Sequence, residues 1–315
     1  MKVAFHLEQL DLRGSSVTIQ DYAHYNETLL GNQSYIICNG KSDHLEAVPM
    51  MKEQFPVFLY DQFGQVDQFV KSNGIDVVYW LKAGQNDGKL VSGVKNVIHA
   101  VFWYYQPHGE VYAYVSEWLA KVASDGRNPF VPHIISMDTQ DKGDYREYLK
   151  IPKDALVLGY MGGNDSFALS FVQEAVIEIA ATHPNIYFFF MNIDRFCQPT
   201  SNIIHVDGTT DMDIKAAFVN TCDVCLHGRI GGETFGRTIA EFSLNNKPVL
   251  TFSGHDHRAH IDMLGDKALI YSDKSNLIDI ITHMDRDTLA RGDWNAYSWY
   301  IPENVMKQFD KVFLQ

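Results

Sequence analysis

His227-Gly228-Arg229-Ile230-Gly231-Gly232-Glu233-Thr234-Phe235-Gly236-Arg237-Thr238-Ile239-Ala240-Glu241-Phe242 decides the reading of this chain. It follows Asp223-Val224-Cys225-Leu226, an apolar run read as a short buried strand. Phe235, Ile239 and Phe242 recur at i, i+4 and i+7, which predicts a helix. Asn245-Asn246 stops that helix, and Lys247-Pro248-Val249-Leu250-Thr251-Phe252 starts another strand. The order is strand, glycine-rich turn, helix, strand. Glycine lets a backbone approach a ligand closely, and a helix start offers unpaired N–H groups and positive dipole potential to an anion.

Working outward, the same alternation recurs along the chain. Strands are expected at Val3–Leu7, Ser34–Cys38, Val57–Tyr60, Ile75–Leu81, Asn96–Phe102 and Val111–Val115. Helices are expected at Val17–Leu30 and Gln65–Ser72, with Arg13-Gly14-Ser15-Ser16 as a loop. The stretch from Asp125 to Lys150 is polar and turn-rich and marks a domain boundary. Beyond it come strands at Ala155–Tyr160, Ile186–Met191, Ile203–Val206, Val224–Leu226, Val249–Phe252 and Ala268–Tyr271, with a helix at Phe167–Thr182. This is an α/β pattern of two parallel sheets, each covered on both faces, with ligands expected at the carboxyl ends of the strands. The expected division is 1–135, 136–290 and a helical tail, 291–315, packing back across the domains.

Composition narrows the function classes. At 315 residues the chain is long enough for two domains, and 46% apolar and 13% aromatic content indicate a folded protein. A formal charge of −13 argues against a nucleic-acid partner. No apolar run approaches the roughly 18 residues of a membrane span. The start, Met1 to Leu7, is too brief for a secretion signal, so the expectation is a cytoplasmic protein, with peripheral attachment to a membrane left open. The sequons at Asn26, Asn32 and Asn164 then carry no weight. Cys222 and Cys225 form a CxxC without a second pair, and Cys225 lies inside an apolar strand; core packing is the better reading.

Three glycine-bearing turns follow strands: Gly14-Ser15-Ser16, Gly162-Gly163-Asn164 and Gly231-Gly232-Glu233. None fits the dinucleotide fingerprint or a P-loop. Glu233 and Glu241, eight positions apart, would lie about 12 Å apart on a helix. That exceeds the roughly 5–9 Å between paired hydrolase carboxylates. They read better as acceptors for two parts of one extended ligand. His255, His257 and His260, with Asp256, form the cluster closest to a metal site.

Glu233-Thr234-Phe235-Gly236, then Glu241, then Lys247-Pro248-Val249 resembles the donor-site motif of GT-B glycosyltransferases, nearest to retaining family 4, which reads E-G-F-G, E and G-x-P-V. The match runs from about Ala155 to about Ile281. The amino-terminal half fits in outline, through its first strand, the Gly14 loop and Tyr114-Val115-Ser116. The resemblance implies two Rossmann-like domains facing across a cleft, and transfer of a sugar from a nucleotide-diphosphate sugar to a glycan or other hydroxyl acceptor, with retention and without an obligatory metal or other cofactor. It makes Glu233 an acceptor for the donor sugar's hydroxyls, and Thr234, Phe235 and Gly236 backbone donors to sugar and diphosphate. Gly162, Gly163, Asn164 and Gly232 complete the donor loops. Glu241 would hold the ribose, Val206-Asp207-Gly208-Thr209 would lie beside the base, and Gly14 and Ser15 would approach the diphosphate. Preorganised donors of this kind stabilise the departing diphosphate, each contributing about 3–4 kcal/mol.

Two departures accompany the resemblance. The usual Arg and Lys after the first strand of the second domain are replaced by Gly162-Gly163-Asn164-Asp165-Ser166-Phe167-Ala168. Arg229, Arg237 or Arg258 is expected to supply that charge. For the histidine usual in the first domain the candidates are His99 and His108, and His108 is preferred because it sits in a loop. The missing pair keeps a non-catalytic nucleotide-sugar or glycan-binding protein as the alternative, followed by a nucleotide-sugar epimerase. A phosphorylase would need a pyridoxal-binding lysine, and none is identified. A homodimer is compatible with these partners.

Overall fold

The computed structural model describes residues 1–315 and divides them into two compact units, Met1–Ile134 with Trp299–Gln315, and Ile135–Ser298. The first unit alternates β1 (Lys2–Leu7), α1 (Gly14–Thr28), β2 (Gln33–Asn39), α2 (Val48–Gln54), β3 (Val57–Tyr60) and α3 (Gly64–Asn73). It continues through β4 (Val77–Lys82), β5 (Lys95–Ala100), β6 (Val111–Tyr114) and α4 (Glu117–Ser124). These strands make one parallel sheet in the order β3-β2-β1-β4-β5-β6. Strands buried on both faces should be near-continuously apolar, and β1 and β4 are, with Val3, Ala4, Phe5, Val78, Tyr79 and Trp80 inaccessible to solvent or nearly so.

The second unit holds β7 (Leu156–Met161), α5 (Ser170–Thr182), β8 (Ile186–Met191), β9 (Ile203–Val206), α6 (Met212–Thr221) and β10 (Val224–Leu226). Then come β11 (Gly232–Glu233), α7 (Arg237–Leu244), β12 (Val249–Phe252), β13 (His257–Arg258) and α8 (Ala259–Leu264). The unit closes with β14 (Ala268–Tyr271), α9 (Lys274–Thr282) and α10 (Arg286–Arg291). Its main sheet runs β14-β12-β10-β7-β8-β9, all parallel, and β11 pairs with β13 apart from it. Local chemistry sets the helix starts: Asp211, Asp273 and Asp285 accept backbone N–H groups at the N-caps of α6, α9 and α10. Cys222 and Cys225 are buried and free, and burial pushes both thiols up, so they pack as small apolar residues.

The structure departs from the sequence reading in three places. Gly14-Ser15-Ser16 is the first turn of α1, not a loop. The helix expected from Phe235 starts at Arg237, because Gly236 adopts φ of 87° and interrupts it. The division differs too: residues 291–298 stay with the second unit, where Ser243 Oγ donates to the Trp294 carbonyl at 2.7 Å. The return to the first unit comes at Trp299. There α11 (Pro302–Phe309) and the wider turn Asp310–Leu314 enter the core. Phe309 stacks on Tyr22 with centroids 4.9 Å apart, and Phe313 packs edge-on against Tyr79 at 5.5 Å.

The tail is therefore core, not covering. Phe309→Ala should cost the first unit about 3–5 kcal/mol in denaturant unfolding, the range for deleting a buried phenylalanine. A loss under about 0.5 kcal/mol, the scale of a surface change, would contradict this packing.

Candidate functional site

In the second unit the chain moves outward from β7 to β8 and β9 on one side, and from β10 to β12 and β14 on the other. The strand order therefore reverses between β7 and β10. In open α/β sheets ligands bind at that reversal, outside the carboxyl ends of the strands. Two segments leave the sheet there: Gly162-Gly163-Asn164 from β7 and His227 to Gly236 from β10. They are fastened together. The Leu169 N–H donates to the Gly228 carbonyl at 2.9 Å, and Thr238 Oγ1 donates to the Met161 carbonyl at 2.7 Å. On the far side Asn192 Nδ2 donates to the Gly162 carbonyl at 2.6 Å, and the Asn192 N–H to Val206 at 3.0 Å. A Cβ on Gly208 would lie 2.7 Å from the Asn192 side chain. Gly162, Gly163, Asn164, Val206, Gly208 and the His227–Glu241 stretch thus belong to one end of one sheet.

The loop after β10 keeps its shape through glycine. Gly232 has φ of 75°, and a Cβ there would fall 2.2 Å from the His257 carbonyl oxygen. Only glycine lets β11 lie against β13 so closely. Gly236 caps α7 in the left-handed region, and no side chain caps that helix or adds negative charge to its first turn. Its leading N–H groups keep the partial positive charge of a helix start. Phe235 is buried beneath the loop, its ring against Tyr297 with centroids 6.0 Å apart. Thr234 is half-buried.

Two carboxylates with two arginines define the electrostatics. Arg229 Nη1 donates to Glu233 Oε2 at 2.7 Å, and Arg237 Nη2 to Glu241 Oε1 at 3.4 Å. Each pair spans four residues. The arginines expected to be available to a ligand are therefore already engaged with the two glutamates of the motif. Arg258, the third candidate, donates to the Ser253 carbonyl at 3.0 Å. The expected helical spacing of the glutamates does not apply, since Glu233 lies on β11, outside the helix; what separates their roles is a different arginine for each.

Glu233 has a second neighbour. Its Oε1 lies 3.4 Å from His227 Nε2. Burial alone would raise the Glu233 carboxyl, but the Arg229 charge and His227 outweigh it and hold the group at about 2. The histidine cluster differs from the expected one. His227, His255 and His260 are buried together, whereas His257 sits half-buried on β13 and Asp256 is exposed. The two-residue strand turns His257 out of register with its neighbours in sequence, and His227 arrives from 24 residues before Thr251. Thr251 Oγ1 joins His227 Nδ1 at 2.9 Å and His260 Nε2 at 3.0 Å. Burial lowers His255 to about 3 and His260 well below its ordinary value, so both imidazoles are neutral at physiological pH.

The first unit repeats the topology, its order reversing between β1 and β4. There a cavity of about 590 Å³ is lined by His6, Glu8, Ser15, Lys82, Asp87 and Lys89. Ser15 lines this cavity, with Gly14 beside it at the start of α1. His6, Glu8, Lys82 and Lys89 carried no motif and are found only through the fold. His108 is a correction. It precedes β6, and the adjacent Glu110 N–H donates to the Asn96 carbonyl at the start of β5. That is the amino end of the sheet, opposite the cavity, because a loop between parallel strands must return to the starting edge. His99 is core: it meets the Tyr79 hydroxyl and the Val131 carbonyl, and burial lowers it to about 3.

The Arg229–Glu233 pair has a pH signature. Folding depresses the Glu233 pKa from 4.5 to about 2, so its contribution is complete above about pH 4.5 and fades as pH falls toward 2. Arg229→Ala should raise the Glu233 pKa by about one unit or more, read by carbon NMR of the labelled carboxyl, and flatten the stability profile in that window; an unmoved pKa would show that the arginine does not govern it.

No protein-family model matches the chain, and no curated protein does. Solved structures match across its whole length. One is HepE from Anabaena, solved with UDP and glucose, at 14% identity and TM-score 0.73, covering 99% of this chain and 98% of that one. WaaG, a glycosyltransferase involved in lipopolysaccharide biosynthesis, matches at 14% identity and TM-score 0.68, covering 98% and 99%. A UDP-N-acetylglucosamine 2-epimerase from Listeria monocytogenes, so described as a candidate in its own structure, matches at 13% identity and TM-score 0.62, covering 99% and 96%. With two parallel six-stranded sheets of matching order, the chain has the GT-B fold of the glycosyltransferases among these structures.

Proposed function

We propose that this protein is a retaining glycosyltransferase that takes a nucleotide-diphosphate sugar at the β7–β10 reversal of its second unit. The acceptor is a hydroxyl of a glycan or another hydroxyl compound. The observation that carries the reading is the fastening of the Gly162 turn to the His227–Gly236 loop at that reversal, with an uncapped, carboxylate-free helix start beside two arginines. HepE was solved with UDP and glucose, and WaaG is a glycosyltransferase. The polar cavity of the first unit is assigned to the acceptor.

In this mechanism the bond from the sugar's anomeric carbon to the diphosphate oxygen breaks as the acceptor oxygen bonds to the same face of that carbon. The acceptor proton passes to the departing diphosphate. No enzyme nucleophile is required. The α7 start and Arg237 hold the diphosphate, Glu233 accepts hydrogen bonds from the sugar hydroxyls, and Glu241 faces the ribose. Charge neutralisation is assigned to the arginines, so no metal is invoked at the diphosphate. Donors aimed at developing charge in a preorganised site are the larger part of such catalysis.

Glu233→Gln should lower kcat by about 10²–10³-fold, the cost of losing one aligned polar contact in the transition state, while nucleotide binding by calorimetry changes little. Unchanged turnover would end the assignment. The double variant Arg229→Ala/Arg237→Ala should weaken nucleotide-sugar binding at least about 10-fold, since hydrogen bonds to charged groups contribute about 1.5–3 kcal/mol each. Titration against UDP-, GDP- and ADP-sugars names the base, and wild-type affinity in the double variant would remove the arginines from the site.

A second reading is favoured by one observation, the shared fold with an epimerase structure. An epimerase would convert a nucleotide sugar with no acceptor present and incorporate solvent deuterium, both readable by NMR. Donor binding with neither conversion nor transfer would instead point to a binding protein.

A further inference from the structure

Three histidines meet behind Glu233. His227 leaves the end of β10, His255 lies in the turn after β12, and His260 is on α8. One ring nitrogen from each lies within 4.8 Å of the others, and the rings are 4.8–5.3 Å apart between centroids. His227 and His260 are fully buried and His255 is 6% exposed. Each has one buried ring nitrogen with no hydrogen-bond partner: His227 Nε2, His255 Nε2 and His260 Nδ1. Three such nitrogens in one buried place are unusual, because an unpartnered buried polar atom costs about 1–3 kcal/mol.

Their opposite nitrogens explain the orientation. Thr251 Oγ1 touches both His227 Nδ1 and His260 Nε2. With two lone pairs it can accept an N–H from each ring once an ion is bound, the tautomer that leaves His227 Nε2 and His260 Nδ1 as ligating lone pairs. A polar oxygen fixing the tautomer of ligating imidazoles is a regular feature of metal centres. The Glu233 carboxylate completes the set, with Oε1 3.4 Å from His227 Nε2. The Glu233 carbonyl also stands near His260, short of hydrogen-bond geometry. Arg229 shares the carboxylate through Oε2 and is 38% exposed at its side chain, so it can turn toward solvent as an ion enters.

We propose that His227, His255 and His260, with Glu233 as fourth ligand, form a binding site for a divalent transition metal of the zinc class. Three imidazoles and one carboxylate suit that ion, which takes four nitrogen or oxygen ligands tetrahedrally at about 2.0–2.2 Å. Such bonds place ligand atoms about 3.4 Å apart, so a pair at the 4.8 Å limit closes by about 1.4 Å. The ion ties β10, β11, the 253–258 turn and α8 together. It lies on the histidine side of Glu233 and shares that carboxylate with the proposed donor site, so its test reads the metal spectrum and Tm and does not use turnover.

The test titrates chelator-treated protein with Co²⁺ and then Zn²⁺, following visible absorption and thermal unfolding. The expected result is one equivalent of Co²⁺ with the intense bands of a tetrahedral centre, their loss when Zn²⁺ displaces it, and a rise in Tm that grows with metal concentration. His255→Asn and His260→Asn should weaken binding at least 100-fold, Thr251→Val about 10–100-fold, and His257→Gln not at all. His255→Cys guards against variants that fail to fold: it should keep one equivalent and add a sulfur-to-cobalt charge-transfer band. Absence of stoichiometric binding in the wild type, or a Co²⁺ spectrum unchanged in His255→Asn and His255→Cys, would overturn the site.

Discussion

Glu233 is a largely buried charge on a two-residue strand, and the surrounding loop is built around compensating it. An isolated carboxylate removed from water would take up a proton. Here Arg229 arrives from four residues earlier and His227 from the strand end, and together they keep the group ionised. That pairing constrains the backbone between them: residues 229–233 must fold back within the reach of one arginine. Gly231 and Gly232, both at positive φ, allow that reversal. The β11–β13 ladder then fixes the position of the carboxylate relative to the main sheet.

The main sheet supplies the rest of the placement. Strand order reverses in both units at a central pair, β1 with β4 and β7 with β10. A reversal leaves a gap where crossover helices lie on opposite faces, so loops from the two strands stand apart and face a shared space. In the second unit Thr238 bridges that gap to the Met161 carbonyl. The hydroxyl joins the first turn of α7 to the end of β7, beside the Gly162 turn.

Much of this was legible in the sequence because the strands are short apolar runs between glycine and asparagine punctuation. Ile186 to Met191 and Val249 to Phe252 come out as read. Helices α2, α4, α6, α8, α9 and α10 escaped notice; α2, α8 and α10 are seven residues or fewer, too short to show a helical period, and caps such as Ser116 and Asp273 do not mark a helix by themselves. The site was legible where its residues are close in chain: Gly162 to Asn164 and Arg229 to Glu241. It was not where partners converge from distant segments. Thr251 lies inside a strand, and only packing reveals that its hydroxyl meets two histidines. His108 failed for a topological reason, since a sequence does not say which end of a parallel sheet a loop has reached.

The two arginine–glutamate pairs look alike in sequence and differ in environment. Arg229 is 38% exposed at its side chain, whereas Arg237 and Glu241 are both below 10%. Parting the Arg237–Glu241 pair leaves two buried charges uncompensated, while parting Arg229 from Glu233 leaves one, because the arginine reaches solvent. An anion reaching the start of α7 would therefore draw Arg229 away from Glu233 far more readily than Arg237 from Glu241. Glu233 would then turn to whatever else offers it positive charge or hydrogen bonds. On this account Arg229 is the movable cation of the loop and Arg237 its fixed one, a distinction set by burial and not by residue type.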